Sequence, residues 1–335
     1  MYAIRQYGFG APEQLVYESV PDPVPDTGQV LVEVHAAGVH LIDTRLRAGS
    51  VDGPFPLPPL PMTPGREVAG VVTGLGAGVD TRWLGKRVVA HLGADGSGGY
   101  AELAVADAAA LHELPENLPE NLPENTEYAA AVAMVGTGRM TMGILHRAEL
   151  TSEDVVLVTA AAGGIGNLLV QAALRAGATV VGAAGGVDKV ERVRRIGATV
   201  AVDYTRADWS DSVAAALGER AVTVVFDGVG GVAGRAAFEL LGAGGRVVLF
   251  GWSSGEAPQF TSMELFERQL TATVALGANI ARIPGGLRHL ERQALTELAA
   301  GRLVPAVQTF PLRDAAAAHT AMENRATMGK VVLVR

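Results

Sequence analysis

VVLVTAAAGGIGNLLVQAALRAG (155–177) is the stretch on which the fold turns. Five residues suited to a buried strand (155–159) run into a glycine-rich turn, AAAGGIG (160–166), and the turn opens an apolar, helix-periodic segment. A strand that delivers such a turn to a helix is the context a dinucleotide-binding fingerprint requires. In that reading Gly163 lets the backbone approach a pyrophosphate, and Gly166 lets helix and strand pack closely. The amides at the helix start, near Gly164 and Ile165, turn their positive ends toward the anion. The usual first glycine is replaced by Ala161.

Downstream, apolar runs at Thr179–Ala183, Thr199–Val202, Val222–Phe226 and Arg246–Phe250 alternate with helical segments such as Gly166–Arg175 and Lys189–Ile196. Short buried strands alternating with helices predict right-handed βαβ units and a doubly wound parallel sheet, an α/β fold. The second strand ends in Ala183-Ala184-Gly185-Gly186. No acid stands where a ribose diol would be bound, and Asp188 comes a turn later. A turn of small residues leaves room for a 2′-phosphate, and Lys189 and Arg192 on the next helix carry the charge to neutralise it. NADPH is therefore expected over NADH. The same two cations also read as an ordinary solvated helix face.

The bulk of the chain bounds the alternatives. Its 335 residues suit two domains, and 49% hydrophobic against 19% charged residues provides for a large core. A net charge of −8 without a basic run argues against a nucleic-acid partner. The absence of cysteine removes disulfides, thiolate zinc sites and a cysteine nucleophile. MYAIRQYGFG lacks a signal-peptide pattern, and no apolar stretch approaches the ~20 residues that span a bilayer, so a soluble, cytoplasmic protein is expected. Residues 1–112 read as mostly β, with runs at Val30–Val34, Val68–Val72 and Arg87–His91. The six prolines of GPFPLPPLPMTPG (53–65) predict a surface loop. ELPENLPENLPEN (113–125) repeats LPEN three times and reads as an expanded interdomain loop. Ala129–Glu149 and Leu287–Gly301 read as helices, and Lys330–Val334 as a strand returning to the first domain.

GVHLIDTRLRAG (38–49), PGREVAGVV (64–72), GGYAEL (98–103), AAAGGIG, DYTRADW (203–209), FDGVGG (226–231), FGWSSG (250–255) and MENRATMGKVVLV (322–334) together resemble the medium-chain dehydrogenase/reductase superfamily, on its zinc-free quinone oxidoreductase branch. The resemblance covers essentially the whole chain. It implies a GroES-like β-rich catalytic domain from residues 1–125 and 283–335, a Rossmann NADPH-binding domain at 126–282, and a homodimer formed through the latter. It also implies that Tyr204 packs near the adenosine 2′-phosphate, that Phe250 and Gly251 border the cofactor, and that Arg325 is a basic residue beside it. Met140 stands where relatives place a nicotinamide-side threonine, a contact that Thr137 or Thr141 would have to replace. Zinc-containing relatives carry cysteine at the position of His40 and histidine at that of Arg66. His40, Glu67 and His91 could form a zinc site on paper, but the Arg66 cation opposes a metal, and an internal ion pair involving Arg66 and Glu67 is the better reading.

Without a Lewis acid, oxidising a simple alcohol is difficult, whereas hydride addition to the β-carbon of an enone, enal or quinone moves charge to an oxygen that one hydrogen bond can support. The expected partner is thus a small conjugated carbonyl or quinone. The resemblance implies that His40 stands at the motif position facing the nicotinamide, where this branch often has asparagine; since histidine titrates at about pH 6.5, it is the expected proton or hydrogen-bond donor. Asp43 would orient it or line the pocket; equally, His40 and Asp43 would simply cap a helix at 41–47. Tyr100 and Trp252 read as cleft-lining or as packing aromatics. A 2-enoyl thioester reductase or biosynthetic tailoring enzyme, and a non-catalytic NADPH-binding structural or sensing protein, remain as alternatives.

Overall fold

The computed structural model describes residues 1–50, 56–93, 97–114, 118, 122 and 126–335. Apart from its leucines the LPEN repeat lies outside the described residues, as does the start of the proline loop. The chain divides into two compact units, Met1–Thr137 with Ala294–Arg335, and Gly138–Gln293.

The first unit is built from β1 (Tyr2–Gln6), β2 (Leu15–Ser19), β3 (Gln29–Val39), β4 (Glu67–Leu75), β5 (Arg87–His91), β6 (Leu103–Asp107) and β7 (Leu111–Glu113). β1 and β2 form a separate antiparallel pair. In the second unit lie β8 (Val155–Val158), β9 (Thr179–Ala184), β10 (Val200–Asp203), β11 (Val222–Asp227), β12 (Leu241–Leu249) and β13 (Thr271–Val274). The chain then returns to the first unit with β14 (Val307–Pro311) and β15 (Lys330–Val334).

The seven-stranded sheet of the first unit runs β14-β15-β3-β4-β5-β7, with β6 also on β3. The expected return of Lys330–Val334 is thus found: β15 pairs antiparallel with β3, Val331 opposite Val39. β3 alternates half-buried and buried residues along its first half, the two-residue period of a sheet with one covered face. Ile4, Val34, Val68 and Leu333 pack one apolar cluster and Val30, Val32, Val72 and Val88 another. The described part of the proline loop carries a bridge between Met62 and Gln6, which ties it to β1.

Ala129–Glu149 is not one helix. Helices Glu127–Ala133 and Arg139–Ala148 flank a wide turn at Met134–Gly138. Gly136 and Gly138 fall in that turn, where weak helix propensity lets the backbone widen. The first of these helices packs on β3 and β4, and the first unit runs on to Thr137, past the domain start at residue 126 that the resemblance implies.

The second unit is a six-stranded parallel sheet ordered β10-β9-β8-β11-β12-β13. Counted within the unit this is 3-2-1-4-5-6, the doubly wound dinucleotide fold, whose order reverses between β8 and β11. All four residues of β8 are buried, as in a sheet covered on both faces. One apolar layer gathers Val156, Val158, Leu169, Val180 and Phe226; the other gathers Leu157, Val181, Val225 and Phe238. Among the described residues no helix is long and apolar enough to cross a membrane.

Candidate active site

In the second unit, β8 ends at the switch point and the helix Gly164–Arg175 starts there. Gly163 precedes this helix in extended conformation, and no side chain caps it. With no side-chain acceptor there, its first-turn amides, those of Gly164, Ile165 and Gly166, could receive an anion. A Cβ on Gly166 would lie 2.2 Å from the Ala160 carbonyl oxygen, so close helix–strand approach requires this glycine. Ala160 itself holds φ +47°, an unfavourable angle for a residue with a side chain. The neighbouring strand end is pinned by Asp227, 1% exposed, which accepts the Thr159 hydroxyl at 2.8 Å and the Val229 amide at 2.9 Å. Phe250 donates its amide to the Asp227 carbonyl at 2.9 Å. Gly228 lies so close to the Phe250 ring that a Cβ there would sit 2.4 Å from it, and Gly251 lies against the Gly228 backbone. Thr141 is fully buried on the helix Arg139–Ala148, and Met140 packs against the apolar core.

At the end of β9 the chain turns through Gly185 and Gly186, the latter at φ +93°. Asp203, at the end of β10, accepts the Gly186 amide (3.0 Å) and the Thr205 amide and hydroxyl (3.0 and 2.7 Å). Burial alone would raise its pKa, but these hydrogen bonds hold it below the usual carboxylate range. The sequence reading missed this role: Asp203 is an acid on the third strand, consumed in shaping the turn after the second. Gly185 lies 3.5 Å, measured from an added Cβ, from the Tyr204 ring. Lys189 is half-buried on the following helix, and the buried Nε of Arg192 has no hydrogen-bond partner among the described residues.

In the first unit, β3 ends at Val39 and the helix Leu41–Ala48 begins two residues on. Asp43 does reach back to cap it, its carboxylate accepting the His40 amide at 2.8 Å. The same carboxylate accepts Arg66 Nε at 3.2 Å and the Tyr100 hydroxyl at 3.1 Å. Asp43 therefore joins His40 and Tyr100, and capping is only part of its work. Tyr100 is 0% exposed, and burial, reinforced by the Asp43 charge, pushes its phenol well above the usual value. Its hydroxyl is directed inward, onto Asp43. Behind it His319 Nε2 lies 3.4 Å from the Tyr100 oxygen.

The His40 imidazole turns inward. Its Nε2 lies 2.6 Å from Glu67 Oε1, and Lys330 Nζ lies 3.0 Å from Glu67 Oε2. These contacts are close yet poorly aligned for hydrogen bonds. Burial on its own would raise the Glu67 pKa; the charges of His40 and Lys330 overcome it and hold the carboxyl well below its usual range. The expected internal ion pairing of Arg66 and Glu67 is thus corrected in its partners: Arg66 pairs with Asp43, and Glu67 with His40 and Lys330. Thr137 is buried at the end of the first unit's wide turn, and Arg325, exposed at φ +53°, follows the helix Ala315–Glu323. The donor set does not suit zinc. One Glu67 oxygen faces an ammonium, Arg66 occupies Asp43, and no three His, Asp or Glu side chains converge among the described residues.

Residues 26–116 match the family described as Alcohol dehydrogenase GroES-like domain, and residues 164–292 the family described as Zinc-binding dehydrogenase. A quinone oxidoreductase of Sus scrofa is 32% identical over 349 residues, covering 100% of this chain and 98% of that protein. A 2-haloacrylate reductase of a Burkholderia species is 30% identical, covering 97% and 96%. The crystal structure of Escherichia coli quinone oxidoreductase complexed with NADPH superposes with a TM-score of 0.84 at 27% identity, covering both chains in full. Fold, glycine turn and relatives together define a two-domain oxidoreductase that uses a nicotinamide cofactor. The chain belongs to the medium-chain dehydrogenase/reductase superfamily, on its quinone oxidoreductase branch.

Proposed function

We propose that this protein reduces a conjugated carbonyl compound, a quinone or an enone, with NADPH and without a catalytic zinc. The observation that carries the reading is the His40 cluster. An ionisable imidazole stands, anchored on a buried carboxylate, at the position where zinc-containing relatives place a metal ligand. Bound NADPH would supply hydride. Gly163, Gly164, Ile165 and Gly166 would hold its pyrophosphate, and Lys189 with Arg192 would neutralise the 2′-phosphate while Tyr204 packs beside it. Thr137, Thr141, Phe250, Gly251 and Arg325 are proposed as further cofactor contacts. His40 would donate a hydrogen bond or proton to the acceptor oxygen as charge develops there.

The names of two relatives, a quinone oxidoreductase and a 2-haloacrylate reductase, support acceptors in which a double bond is conjugated to a carbonyl group. NADPH oxidation followed across quinones, enals and enoyl thioesters tests the reading. Turnover with quinones or enals is expected. Turnover confined to thioesters would favour an enoyl thioester reductase, and tight cofactor binding with no turnover would favour a non-catalytic binding protein.

We also propose a homodimer formed through the second unit. β13 is an edge strand, and Val274 on it is 46% exposed; Met263 and Phe266 on the preceding helix are 61% and 80% exposed. Phe266→Glu is expected to shift the sedimentation coefficient from dimer to monomer. A dimer unaffected by this change would have another interface.

A further inference from the structure

Glu67 is a charged side chain with no exposure, and it is walled in by backbone. A Cβ on Gly38 would lie 2.1 Å from its Oε2, and one on Gly136 would lie 1.4 Å from its Oε1. Strand register explains why the rest of the cluster meets there. Val331 stands opposite Val39, so the next pair along brings Lys330 to His40. Val68 stands opposite Ala37, which brings Glu67 to Gly38, and Glu67 pairs with His91 across β4 and β5. Four adjoining strands and a glycine turn thus enclose one carboxylate. A carboxylate so buried needs a compensating charge close by. Lys330, 5% exposed, supplies it as an ammonium.

We propose that Glu67 and Lys330 are positioning residues for His40: the lysine neutralises the buried carboxylate, and the carboxylate holds the imidazole by Nε2, leaving the exposed part of the ring open. The inference rests on the reading of His40 given above. The Nε2 atom is buried while the side chain retains 23% exposure, so the accessible part of the ring lies away from Glu67. The charged or titratable groups around the His40–Glu67 pair are Lys330 from β15, His91 from β5, and Asp43 from the helix that His40 precedes. Asp43 is in turn paired with Arg66. In this arrangement the positive charge that a metal would bring is carried by the chain itself.

The test compares Lys330→Met, Glu67→Gln, the double variant and His40→Gln, with kcat, KM for the acceptor, the Kd for NADPH and the pH profile of kcat/KM as readouts. Lys330→Met leaves the Glu67 charge to His40 alone, so an imidazolium there gives up its proton less readily. The alkaline limb of the profile is expected to move to higher pH. Glu67→Gln is expected to move that limb to lower pH. Each single change is expected to lower kcat by about 10–100-fold, the usual effect of disturbing a group that orients another, with little change in the Kd for NADPH. If Lys330→Met does not fold, the double variant, which buries no net charge, still reports; its kcat is expected to fall no further than that of Glu67→Gln. Native profiles and kcat in the Glu67 and Lys330 variants alongside an impaired His40→Gln would overturn the positioning role alone. Full activity in His40→Gln would overturn the assignment of His40 and the inference with it.

Discussion

At the scale of the residue, His319 shows how burial writes itself into a pH dependence. It is 0% exposed, and burial pulls its pKa down to about 4. A histidine whose folded pKa lies below its unfolded one contributes stability that is complete above about pH 6.5 and is lost as pH falls toward 4. A fall from about 6.5 to about 4 corresponds to a loss of roughly 3 kcal/mol across that window. Chemical denaturation at a series of pH values is expected to show this slope in the native chain and a flatter one in His319→Gln; parallel slopes would refute the assignment. Lys189 makes a second case. Lys189→Ala is expected to weaken NADPH binding by about tenfold, the worth of roughly 1.4 kcal/mol, while leaving NADH nearly unchanged. Equal losses for both cofactors would remove the lysine from the 2′-phosphate.

At the scale of the element, the turn between β8 and its helix has no slack. Gly166→Ala places a methyl group against the Ala160 carbonyl, so a loss of about 1–3 kcal/mol in stability is expected, together with weaker cofactor binding. Denaturant titration and fluorescence binding check both, and native values would mean that the turn relaxes. This element was legible in the sequence because strand, turn and helix are contiguous, and each announces itself in a few residues. The His40 cluster was legible only in part. His40, Asp43 and Tyr100 stand in recognisable motifs, but Lys330 joins them through the register of β15 on β3, and no local pattern encodes a pairing across nearly the whole chain. Tyr100 illustrates the same limit: its aromatic character is visible in sequence, while its complete burial against His319 and Asp43 depends on what packs over it. The break in the helical run at Met134–Gly138 is visible afterwards in Gly136 and Gly138, but an alanine-rich surround hides it from composition.

At the scale of the whole molecule, the proposed zinc-independent reaction makes a plain prediction. Incubation with a chelator followed by desalting is expected to leave NADPH oxidation unchanged. Lost activity restored by added zinc would refute the zinc-independent reading. The discontinuity of the first unit has a consequence of another kind. β14 and β15 follow the entire second unit in the chain, and β15 lies inside the seven-stranded sheet, between β14 and β3. On the ribosome the dinucleotide-binding unit is therefore complete, and able to fold, while the other sheet still lacks two of its strands. Lys330 follows the whole second unit in the chain, so Glu67 waits through the synthesis of that unit without its counter-charge. The order of synthesis delays the sealing of the His40 cluster until the scaffold beneath the cofactor is already in place.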